Sequence, residues 1–281
     1  MPGPAPTPAP APPPAPRTIL LTGAAGGLGT LMRERLPAHG YTLRLFDMVP
    51  IEGEPDAITA DLGDKDALRE AVRGVDAIIH LAGISLEAPF EKILRANIEG
   101  TYNLYEAARA ANVPRIVFAS SNHAIGFTPR PQSGDPLIPV DTPRRPDTFY
   151  GLSKSFGEDL AQLYWDRHGL ETVSVRIGSC FLEPTSVRML SVWMSPADGA
   201  RLFDAALTAE NVGHTVVNGS SDNTRLWWDL TSARTLGYEP QDDSEPYAAK
   251  LIAEQGELDS DNPDHAHLGG HFCTNPPIWP H

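Results

Sequence analysis

Residues 22–29 read TGAAGGLG, at the end of the strand-like run RTILLTG (17–23) and at the head of the helical pattern LGTLMRERLPAHG (28–40). Gly23, Gly26 and Gly29 are spaced G-x-x-G-x-x-G between strand and helix. That spacing serves a tight turn, a close backbone approach to a pyrophosphate, and close packing of helix on strand. The amides that open the helix then hold the phosphates. The stretch predicts the first β-α unit of a dinucleotide-binding sheet, with Gly23, Gly26, Gly27, Leu28 and Gly29 against the cofactor. A glycine-rich turn with no ligand is the plain alternative, and the rest of the chain decides against it.

Asp47 closes the second strand, TLRLFD (42–47), 24 residues after Gly23. A carboxylate there accepts hydrogen bonds from the adenosine ribose and repels a 2′-phosphate. No Arg or Lys follows in DMVPIEG to neutralise one, so the expected cofactor is NAD rather than NADP. Asp61 and Leu62, after a third strand AITADL (57–62), are expected beside the adenine.

Outward from this unit, short apolar runs alternate with helical patterns: a helix over 67–75, a strand AIIHLAG (77–83) and a long helix over 88–111. The strand RIVFASS (115–121), a helix over 149–168 and the strand TVSVRIGS (172–179) follow. Strands apolar on both faces, joined by helices, predict an α/β fold: a Rossmann-type, doubly wound parallel sheet. Residues 17–180 are expected to form the NAD-binding domain with the catalytic residues, and 181–281 a smaller substrate-binding cap over the carboxyl ends of the strands. Residues 1–16, MPGPAPTPAPAPPPAP, predict a disordered tail, because proline lacks the N–H and fixes φ.

The chain of 281 residues carries 22 basic and 36 acidic side chains, a net charge of −14. That balance argues against nucleic acid or an anionic membrane as partner. No signal peptide and no 18-residue apolar run is present, so a cytoplasmic location is expected, with Cys180 and Cys273 as free thiols. His265, His267 and His271 in DHAHLGGH (264–271) read as solvent-exposed, and no metal is expected. Trp227 and Trp228 read as packing residues.

The second chemical signal is Tyr150-Gly-Leu-Ser-Lys154. Positions i and i+4 share a helix face, so an ammonium beside a phenol would favour phenolate, the form needed to take a proton. Alone, the pair is a common surface feature. The order matters more: glycine motif, then FASSNHAIG (118–126) with Ser121 at a strand end, then Tyr150 and Lys154.

This combination resembles the extended branch of the short-chain dehydrogenase/reductase superfamily. The resemblance implies that Ser121 polarises the reacting oxygen, Tyr150 is the base, and Lys154 lowers its pKa and holds the nicotinamide ribose. It implies for Asn97 a water-positioning role behind the lysine, and a homo-oligomer built through the helices at 88–111 and 149–168. The ordered stretches TGAAGGLG, HLAGIS, APFEKIL, FASSNHAIG, YGLSKSFGE and RIGSCFLEPTSVRML are similar to the uronate dehydrogenase family. The departures are the Pro/Ala tail, the longer segment before Tyr150, and residues 181–187.

That family's implied substrate is a hexuronate, oxidised at C1 to an aldaro-lactone. Arg188 offers a planar fork matched to a carboxylate, while Ser85, Asn122, His123 and Ser179 can meet sugar hydroxyls alongside Ser121 and Tyr150. Plainer readings are a turn histidine at 123, strand-end serines at 85 and 179, and an Arg188–Glu183 surface ion pair. The rival functions are a nucleotide-sugar epimerase or dehydratase and a non-catalytic NAD sensor.

Overall fold

The computed structural model describes residues 17–276, so the expectation for the 1–16 tail lies outside the described residues. Its centre is a seven-stranded parallel sheet. The strands are β1 Arg17–Thr22, β2 Tyr41–Asp47, β3 Ile58–Thr59, β4 Ala77–His80, β5 Arg115–Ser121, β6 Glu171–Ile177 and, after the short β7 Ser179–Cys180 and β8 Trp193–Met194, β9 His214–Gly219. The order is β3-β2-β1-β4-β5-β6-β9, with every pairing parallel.

The pleat of β1 shows why helices must cover both faces. Ile19, Leu20 and Leu21 are all fully buried, yet they join different cores. Ile19 and Leu21 pack with Met32 of α1 (Gly27–Arg35) and Phe203 of α6 (Pro196–Thr208). Leu20 faces the other way, with Leu68 of α2 (Lys65–Ala71), Leu104 of α4 (Gly100–Ala110) and Leu160 of α5 (Phe149–His168). Successive side chains leave a strand on opposite faces, and each such burial contributes about 1.5–3 kcal/mol.

Local chemistry sets the element ends. Helix α5 starts where Thr148 Oγ1 accepts from Gly151 N at 2.9 Å and stops at Gly169, whose φ of 66° closes the last turn. The third strand is shorter than the expected 57–62. Asp61 Oδ1 accepts from Gly63 N and Asp64 caps α2, so side chains pull the backbone out of the ladder. The expected 88–111 helix is present as α3 Phe90–Ile93 and α4, joined by a π-helical stretch, Leu94–Glu99, that aims Asn97 inward.

The stretch expected as a cap also supplies the sheet's last strand, β9, and α6. Its remainder includes α7 (Thr231–Thr235) and α8 (Ala248–Gln255). Trp227 and Trp228 are buried against Ile125, Val192 and Leu268. The chain end returns to the segment after β5, where Leu268 N donates to Thr128 O and Gly269 N to Gly126 O. Among the described residues no helix is long and apolar enough to cross a membrane.

Candidate active site

Because all the large strands are parallel, their carboxyl ends share one edge of the sheet. A cavity of about 1380 Å³ opens there, lined from Gly23, Asp47 and Asp61 at one end to Tyr150, Arg188 and Phe272 at the other. That exceeds the roughly 300–1,000 Å³ of an ordinary small-ligand pocket and suits a dinucleotide with a second molecule.

At the cofactor end, the glycine turn is fixed by sterics. Gly23 has φ 73°, and a Cβ on it would lie 2.6 Å from Ala82 N; a Cβ on Gly29 would lie 2.1 Å from Gly23 O. A Cβ on Gly27 would meet no protein atom beyond its own turn within 4 Å, and the residue lines the cavity, so its bare backbone leaves room for a ligand. Gly26 caps α1 without a side-chain bond, and the first-turn residues Gly27, Leu28 and Gly29, whose amides have no partner within the helix, line the cavity.

Asp47 Oδ2 accepts from Ala25 N at 2.9 Å and Oδ1 from Val49 N at 3.1 Å. The carboxylate thus braces the glycine turn and keeps lone pairs for a ribose diol. Asp61 and Leu62 line the same end. These residues fit NAD. Asp47→Ala should narrow the preference for NAD over NADP by at least about tenfold, since a like charge facing a phosphate is lost. An unchanged ratio of kcat/KM values would count against the ribose contact.

At the chemical end, Lys154 Nζ donates to Ala119 O at 2.7 Å and lies 5.6 Å from the Tyr150 ring centroid. Burial lowers its pKa to about 8. Tyr150, one turn earlier on α5, is pushed up to about 12 by burial, and the hydrogen bond with Ser121 offsets only part of that. Sequence reasoning expects the lysine to favour phenolate; in the protein alone, desolvation of the phenol outweighs it. Ser121 Oγ also accepts from His123 N at 3.2 Å, holding the turn that follows β5.

Ser85 stands on the loop after β4, which Asn97 clamps. Asn97 Oδ1 accepts from Ile84 N, while Nδ2 donates to Ile84 O and to Ser153 Oγ. Glu87 accepts from Tyr150 N at 3.1 Å, tying this loop to α5. Ser179 lines the cavity with its buried hydroxyl unpaired among the described residues, a donor and acceptor for a ligand. His123 lines it too, edge-on to Tyr150.

Asn122 and Arg188 meet each other. Asn122 is 1% exposed and is not part of the cavity wall. In the amide orientation that satisfies every group, its Oδ1 accepts from Arg188 Nη2 at 2.8 Å and its Nδ2 donates to Ile177 O and Gly178 O, both 3.1 Å away. In this geometry it braces the Arg188 guanidinium. Arg188 is half-buried at the cavity wall, donates from Nε (2.9 Å) and Nη2 to Leu268 O, and makes no ion pair with Glu183. Burial lowers its pKa to about 10, with Asp147 attracting it from a distance.

Several groups escaped the sequence reading. His80 is buried, bonded to Thr22 and Thr101, and its pKa falls to about 3 through burial, so a neutral imidazole stitches β1, β4 and α4. The segment holding the expected solvent-exposed histidines brings Gly269, His271 and, just beyond it, Phe272 to the cavity, with His271 exposed and His265 and His267 half-buried. Its signal was the Gly269-Gly270 pair, where the chain turns at φ 63° and packs on Asp147 and Arg188.

Glycine cradle, strand-end carboxylate and the grouped Ser121, Tyr150 and Lys154 define an NAD-dependent oxidoreductase of the short-chain type. Residues 19–192 match the NAD dependent epimerase/dehydratase family. The uronate dehydrogenase of Pseudomonas syringae pv. tomato is 50% identical over 264 residues, covering 92% of this chain and 94% of that protein. The crystal structure of uronate dehydrogenase from Agrobacterium tumefaciens superposes with a TM-score of 0.87 at 45% identity, covering 94% and 99% of the two chains. A mutant from the same organism, complexed with NAD, gives 0.86 at 45% identity over 92% and 98%. The chain belongs to the NAD dependent epimerase/dehydratase family and, within it, to the uronate dehydrogenases.

Proposed function

We propose that the protein oxidises the C1 hydroxyl of a pyranose hexuronate, D-galacturonate or D-glucuronate, to the aldaro-lactone. Arg188 carries this reading. Its guanidinium lines the cavity with no carboxylate in contact among the described residues, and partial burial leaves that charge short of a counter-ion. A ligand carboxylate in the cavity supplies the missing charge and matches the planar fork.

With the carboxylate at Arg188, Ser85, Ser179 and His123 meet ring hydroxyls, and C1–OH lies toward Ser121 and Tyr150. Ser121 donates to the C1 oxygen, and Tyr150 phenolate takes its proton. NAD, when bound, accepts the hydride that leaves C1. Carbon 1 becomes the lactone carbonyl, one proton is released, and water later opens the ring to the aldarate outside the site. Names of the relatives support the substrate class.

The pH profile follows from the two shifted groups. Only phenolate acts as base, so below a raised pKa its fraction, and with it kcat/KM, grows about tenfold per pH unit. Lys154 carries charge below about 8, so the rise bends over above that value. A rate independent of pH between about 6 and 8 would contradict Tyr150 as base.

Galacturonate deuterated at C1 tests the bond that breaks. Deuterium should appear at nicotinamide C4, and lactone should precede aldarate in NMR spectra of the fresh mixture. Deuterium retained in the sugar would defeat the reading.

A further inference from the structure

We propose that Asp147 is a positioning residue that fixes which ring nitrogen of His123 faces the substrate. The inference rests on the hexuronate reading of this cavity. The Asp147 side chain is fully buried, and its Oδ2 lies 2.6 Å from His123 Nδ1. Oδ1 accepts from Thr148 Oγ1 at 2.9 Å. Asp147 immediately precedes the cap of α5, the helix that carries Tyr150 and Lys154, while His123 stands two residues beyond Ser121. One carboxylate therefore joins the two segments that bring the reacting groups together.

Space for that carboxylate is built in. A Cβ on Gly126 would lie 1.9 Å from Asp147 Oδ2, and one on Gly269 would lie 2.0 Å from the same oxygen. Phe272 covers the imidazole with ring centroids 4.2 Å apart, so the ring is held by a hydrogen bond at one nitrogen and by packing on its face.

The donor and acceptor roles follow from the partner. A carboxylate oxygen accepts, so Nδ1 carries the hydrogen, and in that Nδ1–H tautomer Nε2 presents a lone pair. Among the described residues Nε2 has no hydrogen-bond partner, and His123 lines the cavity. It is thus preset as an acceptor for a sugar hydroxyl, complementary to the donors of Arg188. A fixed tautomer is how a carboxylate behind a histidine acts on the atom in front of it.

Asp147→Asn tests this, because an amide can donate to Nδ1 as well as accept from it and so frees the ring to change tautomer. In the wild-type protein, nitrogen-15 NMR of labelled histidine, assigned by loss of one signal in His123→Gln, should show the hydrogen on Nδ1. In Asp147→Asn the signal should shift toward the Nε2–H form, and KM for hexuronate should rise about tenfold or more with the affinity for NAD unchanged. A purely structural carboxylate would move NAD and hexuronate binding together and leave the tautomer alone. An Nε2–H ring in the wild-type protein overturns the proposal even if the variant does not fold. So does an unchanged KM in a variant whose tautomer has switched. Wild-type protein that oxidises no hexuronate would defeat the substrate reading alone, since the tautomer is read without substrate.

Discussion

Tyr150→Phe binds NAD with unchanged affinity and loses turnover by about 10²–10⁴-fold, the range a positioned general base contributes. The substitution removes one hydroxyl from a ring packed beside Lys154 and His123, and it leaves the aromatic body in place. Tyr150 is buried, so its phenol has few routes to a proton acceptor other than the cavity. The glycine turn and Asp47 lie at the far end and are untouched, which is why binding and chemistry should separate. Titration of NAD by fluorescence beside steady-state rates checks both halves. Turnover close to wild type would remove Tyr150 from the reaction.

Arg188→Ala lowers kcat/KM for hexuronates by about a hundredfold, the worth of two charge-assisted hydrogen bonds of roughly 1.5 kcal/mol each. A neutral hexose, with no carboxylate to lose, should change little. The Arg188 head also binds Leu268 O and supports Asn122, so alanine loosens the C-terminal stretch as well. Arg188→Lys separates the two effects, since it keeps a charge but not the planar fork. Equal losses for hexuronate and hexose in both variants would mean the carboxylate is recognised elsewhere.

Much of this was legible in the chain because it is written in local patterns. Strands apolar on both faces and the glycine turn require a covered parallel sheet, and β1, β2, β5 and α5 fall within a residue of their expected bounds. The i,i+4 pair Tyr150 and Lys154 is a helix-face relation, readable without tertiary structure. Long-range geometry was not readable. Asn122 and His123 are adjacent in FASSNHAIG, yet the turn after β5 sends His123 into the cavity and Asn122 beneath Arg188. Asp147 gave no signal, because its partner lies 24 residues away and the pairing depends on gaps left by Gly126 and Gly269. The polar look of 264–271 concealed Leu268, which is buried and anchors Arg188 through its carbonyl. Polarity along a segment does not report what its backbone carbonyls bind.

The most direct test of the central claim is reduced-nicotinamide absorbance in the intact protein with NAD, read against galacturonate, glucuronate, galactose and UDP-sugars. The site described here predicts NADH formed one for one with hexuronate consumed, much weaker oxidation of galactose, and no net NADH from UDP-sugars. Absence of NADH with both hexuronates, or rates with galactose equal to theirs, would contradict it.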